Sequence, residues 1–110
     1  MPKFIPMIFI GVALCSTNAN AQWYADGSLH SANGRQWKAA SQANQLATSA
    51  DFAAVTLGDK KVKALGSMSR LKPYAAEMDT CIDEAVSGSS GDSVKVSEVA
   101  AVCAILMGWK

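Results

Sequence analysis

Two cysteines, Cys81 and Cys103, stand in the last third of a chain whose only other cysteine is Cys15. They constrain the fold more than any other feature, because two thiols admit three structures: a covalent staple, half of a metal site, or a redox couple. Compartment and local geometry decide among them.

The compartment is written in the opening stretch. MPKFIPMIFIGVALCSTNANA carries one lysine, an apolar run from Phe4 to Cys15, and a polar segment that ends in Ala19-Asn20-Ala21. This is the order of a secretory signal peptide with a small-x-small cleavage site. The apolar run falls well short of the roughly twenty residues that a bilayer crossing requires. Residues 1–21 are therefore expected to be a signal peptide that takes Cys15 with it, leaving a periplasmic or secreted protein with no stable membrane anchor.

Its removal leaves 89 of the 110 residues, one small domain with a marginal core. Lys3 leaves too, so nine Lys and Arg face nine Asp and Glu. No global basic field remains to attract nucleic acid.

In an oxidising compartment the remaining even pair is expected to be joined. Cys81 and Cys103 each lie eleven residues from Asp92, near the middle of the polar loop GSSGDS. If the flanking segments form an antiparallel helical hairpin, the two sulfurs come to the same height. A structural zinc site needs about four ligands, and His30 is the one further soft donor. A thioredoxin-type centre needs its thiols two residues apart at a helix start. The staple is the expected structure, and no metal or cofactor is expected.

The rest of the chain reads as all-α. Residues 22–34, QWYADGSLHSANG, have turn residues and no sustained period, so an irregular N-terminal arm is expected, pinned by Trp23 and Tyr24. The domain proper, residues 35–110, opens with helical spacing from Arg35 to Ala47. Thr48 and Ser49 are expected to cap a second short helix, or a continuation after a bend, which Gly58 stops. A helical turn should follow from Asp59, with a break or new cap at Ser67. Pro73 suits the first turn of a helix running to about Ser87, and a last helix is expected from Ser97 to Gly108 with Val99, Val102, Cys103 and Leu106 on one face. The fold expected is a small helical domain closed by a C-terminal disulfide-linked hairpin.

Candidate chemistry is sparse. DGSLHS holds Asp26, Ser28, His30 and Ser31, the residue types of a hydrolase triad, but all in one string, whereas triads converge from separate elements. A turn is expected there, and no enzyme activity. Glu77, Asp79, Asp83 and Glu84 read as a solvated helix face, without the glycine-bearing loop of a calcium site. Lys60, Lys61, Lys63, Arg70 and Lys72 form a basic patch without interleaved aromatics. Trp23, Tyr24, Trp37, Phe52 and Trp109 are the candidates for an aromatic partner surface.

The string GSLHSANGRQWKAASQANQLATSADFAA resembles a pattern of short, secreted, uncharacterised proteobacterial proteins, with Gly27, Leu29, His30, Trp37, Asn44, Leu46 and Asp51 as landmarks. TSADFA, at 48–53, resembles the Thr-Cys-Glu-Asp-Phe-Leu of HdeA-type periplasmic acid-stress chaperones at Thr48, Asp51 and Phe52. The family's first cysteine falls at Ser49. The second resemblance implies a small helical protein that binds clients when acid loosens it. Two functions are therefore expected to compete: a non-enzymatic periplasmic binding or chaperone-like protein, and an inhibitor or immunity protein with one protein target. Self-association is a further expectation, drawn from the opposite charge patches.

Overall fold

The computed structural model describes residues 22–109, and the expected signal peptide lies outside them. Among the described residues there are five α-helices: α1 Gly34–Ala39, α2 Gln42–Leu57, α3 Asp59–Leu65, α4 Met68–Ala85 and α5 Val96–Leu106, with a 3-10 turn at Ser89–Gly91. No strand occurs among them, and the all-α expectation holds.

Helix α4 is the axis. Leu71, Ala75, Met78 and Ile82 recur at three- and four-residue intervals and are all buried. At one end Ala50 and Ala53 of α2 meet Leu71 and Ala75, while at the other Trp37 meets Met78, Ile82 and Val86. Helix α2 therefore runs antiparallel to α4. Helix α5 does so too, for Val96 joins the cluster around Val86, Cys103 bonds to Cys81, and Trp109 stacks edge-on against Tyr74 at 5.4 Å. The result is an up-down-up layout in which α2 and α5 both lean on α4.

The staple is present. Cys81 and Cys103 form a disulfide with their Cα atoms 6.1 Å apart, inside the range that two packed helices offer.

Two boundaries differ from the sequence expectation. The first helix breaks at Ala40, whose backbone is extended, and Ser41 caps the next helix by accepting from the Asn44 amide at 3.1 Å. Thr48 and Ser49 are thus not caps; both are fully buried inside α2. The Thr48 hydroxyl is engaged across the fold, accepting from the Leu29 amide at 3.2 Å and donating to Asn44 Oδ1 at 3.2 Å. The second difference is Pro73, which lies inside α4 because the helix begins at Met68. Its missing N–H leaves the Ser69 carbonyl without the usual partner one turn on. Gly66, in the left-handed region at φ 86°, ends α3 and lets Ser67 start the new helix.

The N-terminal arm is irregular and docked. Gly34 N–H donates to Val94 O at 2.9 Å and Val96 N–H to Ala32 O at 3.0 Å, tying the arm to the entry of α5. Asn33 and Gln36 form a capping box at α1. Lys38 Nζ reaches Asp92 Oδ1 at 2.7 Å and Gly88 O at 2.8 Å, with Arg35 3.8 Å from the same carboxylate. Backbones touch here: a Cβ on Gly34 would stand 1.8 Å from the Gly91 oxygen, and a Cβ on Gly91 would stand 2.2 Å from the Val86 oxygen.

Candidate functional site: an apolar groove between α2 and α5

Because α2 and α5 are both held by α4, the side of the pair turned away from α4 stays open. A groove of about 450 Å³ lies there. Ala100 and Ala104 form its floor, Phe52 and Val55 one wall, and Ala101 and Ile105 the other. The small floor residues allow a visiting chain to come close. Val55 is 78% exposed and Ile105 63% exposed, values that place large aliphatic surface directly in water.

The apolar surface continues over α5. Val102 and Leu106 are 54% and 76% exposed and border a shallow depression beside the disulfide. Helix α5 buries Val96, Ala100, Cys103 and Ala104, and yet Ala101, Val102, Ile105 and Leu106 on its outer side are also apolar. Val102 and Leu106 were expected to share the inner face with Cys103; they point outward instead. The signal was in the sequence: VSEVAAVCAIL has only Ser97 and Glu98 as polar residues, so no rotation of the helix gives it a polar face.

One end of the groove is polar. His30 Nε2 lies 2.7 Å from Asp51 Oδ2, and the imidazole packs edge-on against Phe52 at 5.7 Å. Both partners are about half exposed. His30 therefore pairs with a residue of α2 and not with Asp26, and Ser28 is engaged elsewhere, accepting from Asn44 Nδ2 at 2.9 Å. Several landmark residues of the resemblance serve the same docking: Gly27 lies so close to α2 that a Cβ would stand 2.6 Å from the Thr48 nitrogen, Asn44 holds Ser28, and Asp51 holds His30.

The aromatic candidates divide. Phe52 lines the groove. Trp37 is removed from the candidate surface: it is fully buried, and its indole Nε1 donates to Asp83 Oδ1 at 2.7 Å. Its bulk fills the space where α1 meets α4, which is why it cannot face a partner. Trp23 and Tyr24 are half-buried against the Leu71 and Ala75 end of α4, in edge-on contact at 5.7 Å, with Lys72 Nζ 5.5 Å over the Trp23 ring. Trp109 is half-buried in the same region. These three pin the ends of the described chain to α4.

The acidic cluster is not wholly solvated. Asp79 is partly buried, its Oδ1 has no hydrogen-bond partner among the described residues, and Asp83 stands one turn away. Burial first and the Asp83 charge second push its pKa up to about 6. Asp92 shifts the other way, because the hydrogen bond from Lys38 holds its carboxyl below the usual range. Among the described residues no group of three or more His, Cys, Asp or Glu could hold a metal ion, and no helix is long and apolar enough to cross a membrane.

No protein-family model, curated protein or solved structure matches the chain.

Proposed function

We propose that this is a non-enzymatic periplasmic protein that binds other proteins, receiving an apolar segment of its partner in the groove between α2 and α5. The observation that carries the reading is the exposure of Val55 and Ile105, large aliphatic side chains on the two walls of the groove of a small, stapled domain. A chain that only had to fold would place polar residues at those positions. The disulfide fits an oxidising compartment. A chaperone-like protein uses such a face for many clients.

The His30 and Asp51 pair favours a second reading, an inhibitor or immunity protein with one target. A fixed polar pair at one end of an apolar groove orients a ligand, which a promiscuous surface does not need.

Binding to an immobilised mature chain at neutral pH tests both. One stoichiometric partner supports the inhibitor; suppression of aggregation of several unrelated clients supports the chaperone. In either case Val55→Glu should weaken binding by about tenfold or more, the usual scale for a lost central contact. Binding unchanged by Val55→Glu and Ile105→Glu removes the groove from both readings.

A further inference from the structure

We infer that the end of the molecule capped by α3 is a reversible docking surface for a bilayer of anionic phospholipid. It shares no residue with the groove between α2 and α5.

The first observation is the placement of charge. From Asp59 to Lys72, five basic residues (Lys60, Lys61, Lys63, Arg70 and Lys72) face the single acid Asp59. The rest of the expected mature chain carries four Lys and Arg against eight Asp and Glu. A chain that is neutral as a whole is thus polarised, with its excess positive charge on one segment. The fold gathers that segment at one end, because α2 finishes at Leu57, α4 starts back from Met68, and α3 bridges the two. All five basic residues are exposed.

The second observation is how α3 sits. None of its residues is buried, and Val62 and Leu65 are its only half-buried positions. Leu65 packs against the core, which leaves Lys60, Lys61 and Lys63 on the arc turned to solvent. Arg70 Nη1 donates to the Leu65 carbonyl at 3.4 Å, so its guanidinium continues the basic surface past the C-terminal end of α3.

The third observation is the apolar surface set among these charges. Lys72 stands over the ring of Trp23, which the sequence places far away, and Trp23 meets Tyr24 edge-on. Leu57, Leu65 and Met68 are half-buried in the same cluster. Lysines mixed with half-exposed aliphatic and aromatic groups suit the headgroup level of a bilayer, which is apolar on one side and wet on the other.

The spread of the cations favours a sheet of phosphates over one acidic protein patch. Arg70 and Lys72 flank the buried Leu71 and leave α4 on opposite sides, while the three lysines of α3 lie beyond them. A layer of headgroups meets every one of these groups. Each cation near such a layer strengthens partition about fivefold, and salt screens the attraction. The contact is therefore reversible and is no anchor.

Flotation of the mature chain with vesicles tests the inference. The chain should bind vesicles of equal parts phosphatidylglycerol and phosphatidylcholine at about 0.01 M salt and leave them near 1 M. Vesicles of phosphatidylcholine alone should not retain it. The triple variant Lys60→Gln, Lys61→Gln, Lys63→Gln, at exposed positions, should lose about a hundredfold in partition at fivefold per charge, with the helical circular dichroism unchanged. Lys95→Gln, at the entry of α5, should leave partition as it was. Several outcomes overturn the inference: no binding at low salt, equal binding to neutral vesicles, or a triple variant that binds like the parent. Displacement by glycerol phosphate would make the ligand a free phosphate, and tighter binding of duplex DNA at equal phosphate would make it a linear polyanion; either result also overturns it. Failure here leaves the groove reading standing, since no groove residue is altered.

Discussion

At the scale of the residue, Asp79 carries more of this protein's pH response than its place in a run of acids suggests. A carboxyl whose folded pKa is raised to about 6 from the ordinary value of 3.8 binds its proton more tightly in the folded state than in the unfolded one. The fold therefore gains stability as pH falls from about 6 towards 4, and bears the cost of an ill-solvated charge above 6. Asp79→Asn removes that charge without changing the shape. It is expected to stabilise the domain at pH 7 by about 1–2 kcal/mol, after discounting for solvent that still reaches the group. The gain should vanish below about pH 4 in paired thermal melts; an equal gain at both pH values would refute the assignment. Trp37 shows a different residue-level effect. Its size and hydrophobicity mark it equally as a core anchor or as an interface residue, and only its neighbours decide. The Asp83 carboxylate supplies the acceptor that lets the indole N–H go inside.

At the scale of the element, the C-terminal hairpin was legible from the sequence because its determinants are local. Equal spacing about Asp92, a polar loop, and cysteines at apolar positions on both sides all lie within one stretch. The groove was not legible, since it depends on which helices α4 holds and which side of α5 is left over. The break at Ala40 was missed for a related reason: Thr48 and Ser49 have cap chemistry, but the Thr48 hydroxyl is claimed by Leu29, nineteen residues away. Local propensity yields when a tertiary partner is available. The staple closes a loop between residues 22 positions apart, which the chain-entropy account values at about 3 kcal/mol. Replacing Cys81 and Cys103 together by Ser is expected to lower the stability by that order in urea titrations. A loss under about 1 kcal/mol would mean that the apolar contacts of α4 and α5 hold the hairpin unaided.

At the scale of the whole molecule, acid acts in two directions. Between about pH 6 and 4 the Asp79 contribution tightens the fold. The Asp92 contribution has the opposite sign: its folded pKa is depressed, so its stabilisation is present above the unfolded value and is lost as pH falls through the folded one. The pH profile of the melting temperature is therefore expected to peak in the mildly acidic range and to fall only below about pH 4. A steady decline from pH 7 downward would show that general charge repulsion outweighs both groups. The profile bears on function, for Val55, Ile105 and Leu106 are already in water in the folded state. Client binding by the proposed surface needs no acid unfolding, and activity at neutral pH is the expected outcome.

The meeting of Gly34, Gly91 and the Val86 carbonyl bears on descent. A disulfide can be lost or moved while a fold persists, but three backbones in contact leave no volume in which a side chain could be tried. Any chain sharing this architecture must keep glycine at both places, fifty-seven positions apart here, or shift its arm away from the hairpin. That pair of empty side-chain sites, with the cysteines between and beyond them, is a criterion of kinship that survives when overall sequence similarity has decayed.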